Sequence, residues 1–321
     1  MKSRIREIFK KEFNSKVLSI SKIKEGYSHD MYEVKTNKRP YIGIIRFPIN
    51  LNPNISLGKE AYVIKLLNKN NIPVPKIYAY NNPKEEKDGY LILEKIEGKS
   101  LNSIWKNLSE LDKIDITTKI GKLLFDMHKI KLKTFGFIRE DGTTDTGKWV
   151  FKFKYESKKE ILKPSPYLIR NMKDLGWDIS ILISYKILEP RFFSRLIYYI
   201  TKNLNKLDYK GKPTFVHNDL NLDHIFVVKK NNKYEINKII DFELANSSCP
   251  EYDFIKLHRL GFFDNKNLKK ALEKGYGRKI NEEVLRLNRL LRDISFATAL
   301  LQSGNRELFP KIIKGIKREI T

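Results

Sequence analysis

A His-x-Asp pair, a second histidine five residues further on, and an aspartate closing a later apolar run are the residues of this chain best suited to chemistry. They fall in Phe215-Val216-His217-Asn218-Asp219-Leu220-Asn221-Leu222-Asp223-His224-Ile225-Phe226, a polar cluster between two apolar runs, and in Ile239-Ile240-Asp241-Phe242. Phosphoryl transfer needs one carboxylate to receive or orient the nucleophile's hydroxyl. It also needs two further ligands to hold the magnesium ions that neutralise phosphate charge. The spacing gives the first role to Asp219 and the metal to His224 and Asp241. A His-x-Asp pair alone is most often a surface turn, and it is the second strand-Asp-Phe element downstream that raises the reading above that. His217 reads as support, its imidazole bracing the loop by hydrogen bonds.

This pattern resembles the catalytic and metal-binding segments of the aminoglycoside phosphotransferase and choline kinase-like family, relatives of the protein kinases. Most of that family has Asn where this chain has His224, and the branch that phosphorylates the 2''-hydroxyl of aminoglycosides is similar to this chain in having His there. The Gly that usually follows Asp-Phe is Glu243 here. The resemblance implies an α+β, bilobal, protein-kinase-like fold: a small β-rich N-lobe over 1–97 that binds nucleotide, and a larger, mainly helical C-lobe over 98–321 that is catalytic and binds the acceptor. A helical insertion over about 133–210 belongs to the C-lobe. An enzyme is implied, moving the γ-phosphoryl of ATP or GTP to a hydroxyl of a small molecule with Mg2+. Because histidine is a softer ligand than an amide oxygen, tolerance of Mn2+ is expected as well.

The elements that must position these groups follow in chain order. An amphipathic helix over 1–13 precedes strands over 17–23 and 31–35, with Glu25-Gly26-Tyr27-Ser28-His29 as their turn. In the resemblance this turn is the flap over the nucleotide phosphates, with Gly26 and Ser28 nearest them. A strongly apolar central strand over 41–47 leads to a helix over 56–70. Arg46 takes the place where many family members carry Lys to reach the α and β phosphates, and Glu60 is the carboxylate that holds it. Strands over 76–80 and 90–93 lead to Glu94-Lys95-Ile96-Glu97-Gly98, the implied hinge, where backbone groups of Glu94 and Ile96 would read the purine edge. A helix over 111–130 follows, with His128 packed at its end. Residues 134–149 read as a loop or short hairpin, and helices are expected over 150–162, 177–187 and 191–204. Trp149, Phe151 and Trp177 either face a substrate or sit in the core. Glu251-Tyr252-Asp253-Phe254 opens another helix after Cys249-Pro250; the resemblance makes Asp253 a brace that hydrogen-bonds the catalytic loop, and the residues alone read it as a first-turn acid favoured by the helix dipole. Three helices complete the chain over 267–320.

The length of 321 residues suits one bilobal unit with an ample core. The single cysteine, Cys249, excludes an internal disulfide. With no signal-peptide h-region and no apolar run near the roughly 20 residues of a membrane span, a cytoplasmic protein without membrane partners is expected. The formal net charge of +25 raises nucleic acid as a partner, although the basic residues spread along the whole chain rather than cluster. Two alternatives remain open: a kinase-shaped protein that binds RNA or another polyanion, and a kinase acting on a protein or RNA-associated partner. Between 149 and 204 basic residues outnumber acidic ones. That argues for a neutral or anionic acceptor unless Glu156, Glu160, Asp174 and Asp178 converge on one wall.

Overall fold

In the computed structural model, residues 1–23, 29–48, 56–82, 89–145, 165–187, 189–302, 304 and 307–320 are described. Helix α1 (Lys2–Phe13) buries Ile5, Ile8 and Phe9, one turn apart along a single face, against an antiparallel sheet. That sheet contains β1 (Val17–Ile23), β2 (His29–Thr36) and β3 (Ile42–Pro48). Helix α2 (Leu57–Lys69) then leads to β4 (Ile77–Asn81) and β5 (Tyr90–Glu94), giving the order β1-β2-β3-β5-β4. The apolar run expected to be central does occupy the middle position, as β3. Helix α2 starts where Ser56 Oγ accepts from the Lys59 N–H at 3.1 Å, an N-cap. Strand β5 is buried on both faces, and the alternation of strand side chains divides it. Tyr90 and Ile92 join the α1 cluster, while Leu91 and Leu93 pack with Leu57, Ala61, Ile64 and Leu67 of α2.

The chain leaves this sheet through Gly98, whose φ is +102°. A Cβ there would lie 2.2 Å from the Val227 carbonyl oxygen, so glycine is required both by the backbone and by the close strand. Beyond it come β6 (Lys99–Ser100), α3 (Leu101–Trp105), α4 (Glu110–His128), β7 (Gly136–Ile138) and β8 (Thr144–Asp145). Next are α5 (Pro166–Ser184), α6 (Pro190–Lys202), α7 (Leu204–Leu207), β9 (Thr214–Val216), β10 (Ile225–Lys230), β11 (Lys233–Ile239) and β12 (Asn246–Ser248). The last helices are α8 (Phe254–Arg259), α9 (Lys266–Tyr276), α10 (Glu282–Gln302) and α11 (Phe309–Ile320). Two small sheets, β11-β10-β6 and β8-β7-β12-β9, support the loops between these helices.

The β-rich first part and mainly helical remainder are the division that the sequence implied. The short hairpin is β7–β8, and the helix expected at 150–162 lies outside the described residues. Helix α5 begins eleven residues before the expected start at 177. Ser165 caps it by accepting from the Leu168 N–H at 3.2 Å, and Pro166, which needs no N–H partner there, is its first residue. Helices α5, α6, α10 and α11 share an apolar cluster of their own, including Leu168, Leu182, Leu196, Ile200, Leu290 and Ile294. The α2 side of the sheet shares a different cluster with α4 and the loop strands.

Candidate active site

Strand β9 delivers His217 and Asp219 from its C-terminal end, and the hairpin β10–β11 returns the chain to the same place. In its register Ile225 faces Ile239, and the Ile240 N–H donates to the His224 carbonyl at 3.0 Å. His224 and Asp241, seventeen positions apart on either side of the hairpin, therefore become neighbours. Asn218 and Asp241 both have positive φ, 64° and 72°. These are left-handed conformations that Asn and Asp adopt more readily than bulkier residues, and they turn the side chains that follow or belong to them into the loop.

One ligand atom from each of Asp219, His224 and Asp241 lies within 4.8 Å of the others. The protonation pattern is set by His224 Nδ1, which lies 2.9 Å from the Asp219 carbonyl oxygen and must donate to it. In a neutral ring the lone pair is then on Nε2, 3.1 Å from Asp241 Oδ2, which also only accepts. Two acceptors facing each other at this distance repel unless a proton or a cation lies between them. Neighbouring ligands of an octahedral ion with bonds of about 2.1 Å stand about 3.0 Å apart. The His224 and Asp241 pair thus fits adjacent positions on a small divalent cation.

Asp253 fixes the loop. Its carboxylate accepts from the His217 N–H at 3.0 Å and the Asn218 N–H at 2.6 Å. His128 Nε2, 3.0 Å away, donates to the same carboxylate, leaving Nδ1 to accept from the Tyr276 hydroxyl at 2.8 Å. Burial alone would raise the Asp253 carboxyl, but the hydrogen bonds it accepts, from His128 first and from the Asn218 N–H, win and hold it below the ordinary value. His217 Nε2 donates to the Ile240 carbonyl at 2.9 Å, and its ring stacks on His224 with centroids 5.9 Å apart. Burial lowers its pKa, so His217 is held as a neutral strut. His217 and Asp253 thus make hydrogen bonds to the loop on both sides of it, and His128, expected as packing, is a hydrogen-bonding part of the same network.

On the sheet side, Arg46 Nη1 donates to Glu60 Oε1 at 2.5 Å, both side chains being buried. Burial opposes the Arg46 charge, but Glu60 and then Asp241 outweigh it and raise its pKa. Arg46 Nε and Glu60 Oε2 are enclosed without a hydrogen-bond partner among the described residues. The Glu94 N–H already donates to the Lys76 carbonyl at 2.9 Å, so a base edge would be left with its carbonyl and with groups of Ile96 in the connection 95–98. Gly26 and Ser28 lie outside the described residues, as do Trp149, Phe151, Glu156 and Glu160. Trp177 is neither core nor cleft lining of a buried kind: it is 66% exposed on α5.

Three cations at the site carried no signal in the sequence. Lys59 of α2 is 2% exposed, and its Nζ donates to the Glu243 carbonyl at 2.7 Å, just past the Asp241 turn. Burial pulls its pKa down to about 8. Lys256 of α8 and Arg292 of α10 stand 2.7 and 3.4 Å from Asp219 Oδ1. Lys256 lies one helical turn beyond Asp253, which is how α8 brings it to the loop, but its type alone gives no such indication in so basic a chain.

A family model of the phosphotransferase enzyme family matches residues 19–287. Among solved structures, the ADP-bound aminoglycoside phosphotransferase APH(2'')-Ib is 18% identical, with 99% of this chain and 98% of that one covered and a TM-score of 0.65. A streptomycin–ATP ternary complex of APH(2'')-IIa gives 18% identity, coverage of 99% and 96%, and a TM-score of 0.65. Plasmodium vivax ethanolamine kinase gives 15%, coverage of 94% and 81%, and 0.62. At these identities what is shared is the kinase-like fold. A subtelomeric hrmA-associated cluster protein of Aspergillus fumigatus is 26% identical over 121 residues, 36% of this chain. That match spans only 24% of the length of the curated relative.

Proposed function

The chain belongs to the phosphotransferase enzyme family, and on that premise we propose that it moves the γ-phosphoryl group of ATP or GTP to a hydroxyl of a small molecule. The observation that carries this reading is the convergence of Asp219, His224 and Asp241 within 4.8 Å, opposite a buried Arg46–Glu60 pair. The lobes would divide near residue 97, with the nucleotide between them. Arg46 would bind the α and β phosphates with Glu60 fixing its fork, Gly26 and Ser28 would cover them, and backbone groups of Glu94 and Ile96 would meet the base. His224 and Asp241 are the residues that would hold Mg2+, or Mn2+. When bound, the ion supplies positive charge against the phosphate oxygens.

Asp219 would accept the hydrogen bond of the acceptor hydroxyl and orient its oxygen. That oxygen bonds to the γ-phosphorus as the bond from phosphorus to the β-bridging oxygen breaks. The nucleoside diphosphate leaves with that electron pair, and the hydroxyl proton passes to Asp219 and then to solvent. APH(2'')-IIa is seen in a ternary complex with streptomycin and ATP, and the Plasmodium vivax protein is an ethanolamine kinase. For this chain the excess of basic residues over 149–204 supports a neutral or anionic acceptor, with kanamycin-type compounds as poor substrates. Calorimetry with a nonhydrolysable ATP or GTP analogue tests the nucleotide half. Affinity should require magnesium and be lost in Asp241→Ala, and an unchanged affinity in that variant would remove Asp241 from the metal site. A screen of hydroxyl metabolites and aminoglycosides, read as the mass of one added phosphoryl group, tests the transfer.

A further inference from the structure

The two carboxylate oxygens of Asp219 face opposite surroundings. Oδ2 lies on the His224 side, 3.8 Å from Nδ1, toward the candidate metal position. Oδ1 lies 2.7 Å from Lys256 Nζ and 3.4 Å from Arg292 Nη2. A hydroxyl that uses Asp219 must come within about 2.6–3.2 Å of the carboxylate, so the body of the acceptor lies close to both cations. Around this point Arg259 is paired with Asp293, and Arg170 of α5 stands 3.5 Å from Asp174. An acceptor bearing ammonium groups would bring like charge against Lys256 and Arg292, the cations that stand on Asp219 Oδ1. Arg292 is additionally under-used: its Nη1 is enclosed and has no hydrogen-bond partner among the described residues. Burial pulls its guanidinium below the ordinary value, with Asp219 opposing that and Arg259 adding to it.

We propose that Lys256 and Arg292 form an anion subsite beside Asp219, and that the acceptor is a hydroxyl compound carrying a phosphate or carboxylate group. This rests on the phosphotransferase reading above. An anionic group placed there takes charge-assisted hydrogen bonds from the Lys256 ammonium and from Arg292 Nη2, the end of the fork that already faces Asp219 Oδ1. It also draws Lys256 away from Asp219 Oδ1, leaving that oxygen for the hydroxyl. The base is thus capped by a cation until an acceptor of the matching charge displaces it.

The test is a calorimetric titration of the full chain, with and without magnesium and a nonhydrolysable ATP analogue, using matched probes: glycerol, glycerate and glycerol 3-phosphate, then ribose and ribose 5-phosphate, then kanamycin. The anionic members should bind at least about tenfold more tightly than their neutral parents. Glycerate against glycerol 3-phosphate separates a carboxylate from a phosphate preference. Lys256→Met and Arg292→Met should each erase the difference between anionic and neutral members, and Lys256→Arg should keep it. Equal affinity for anionic and neutral members, tighter binding of kanamycin, or a preference that survives both Met variants overturns the proposal. Nucleotide affinity in the same samples reports that each variant is folded. A parent that binds nucleotide but shows no anion preference defeats the subsite alone, whereas a parent that binds no nucleotide defeats the phosphotransferase reading.

Discussion

The segment from β9 to α8, which carries the candidate site, and the helical layer of α5 and α6 are built by opposite means. In the first, buried polar groups hold one another at fixed distances: a single carboxylate, Asp253, takes the N–H groups of His217 and Asn218 and the ring of His128. In the second, helices are held by one apolar face through Leu168, Leu182, Leu196 and Ile200, while Trp177 and Tyr198 on the other side are 66% and 68% exposed. A satisfied polar network specifies individual atoms, because each unmade bond in a low-dielectric interior is costly. An apolar face specifies only that a helix lies down, and its outward residues can change with little effect on the fold. The loop after β9 is therefore prescribed atom by atom, whereas the outward face of α5 and α6 is free to vary.

The largest expected effect tests whether the prescribed loop performs the chemistry. Asp219→Asn should lower phosphoryl-transfer turnover by roughly 10²–10⁴ while leaving nucleotide affinity nearly intact, the usual scale for a positioned acid or base. Turnover equal to the parent's would take Asp219 out of the mechanism. Next comes the brace. Asp253→Ala leaves two buried N–H groups and His128 without their acceptor, and should cost about 3–5 kcal/mol of unfolding free energy. A loss below about 1 kcal/mol in urea denaturation would mean that the loop is held by packing instead, and the comparison would fail at its centre.

The same contrast explains what the sequence made legible. Asp219, His224 and Asp241 stand out because the polar cluster after one apolar run is followed by a second strand that ends in Asp-Phe, an order that a lone surface turn does not have. His217 and Asp253 followed from where the loop had to be braced. Lys59, Lys256 and Arg292 did not stand out, because in a chain with a formal charge of +25 another Lys or Arg carries no information by type. Only the fold brings Arg292 across 73 positions to Asp219. Trp177 was ambiguous for a related reason: aromatic spacing locates a helix but not the side of it that is covered. The early start of α5 was written in Ser165-Pro166, a cap and a first-turn proline, and the apolar periodicity further along obscured it.

In the helical layer a single side chain should matter according to which face it is on. Leu182 is 1% exposed within the α5–α10 cluster, and Leu182→Ala should cost about 2–5 kcal/mol through lost burial and the cavity left behind. Trp177→Ala, on the open face of the same helix, should change stability by less than about 0.5 kcal/mol. If the two substitutions cost the same in chemical denaturation, then Trp177 is covered in solution and the face division drawn for α5 is wrong.

The last effect concerns a shifted carboxylate of that apolar layer. Asp178 of α5 is buried, and burial pushes its pKa from 3.8 up to about 6, with the hydroxyls of Ser295 and Thr298 partly opposing and Asp174 adding to the rise. A folded-state pKa above the unfolded one means that the folded protein holds the proton more tightly. Its stabilising contribution is therefore complete below about pH 3.8 and is lost as the pH rises through about 6. A shift of this size corresponds to roughly 3 kcal/mol at full strength, and solvent and hydroxyl screening reduce it to about 1–2 kcal/mol. Asn cannot ionise, so the difference in unfolding free energy between Asp178→Asn and the parent should move in the variant's favour by that amount between pH 4 and pH 7, then stay level. Taking the difference cancels every other titrating group that the two proteins share. Urea midpoints for both proteins at half-unit steps of pH provide the measurement. A difference that is constant across the range would show that Asp178 stays ionised in contact with water, and that the helical layer, like the catalytic loop, keeps its polar groups satisfied.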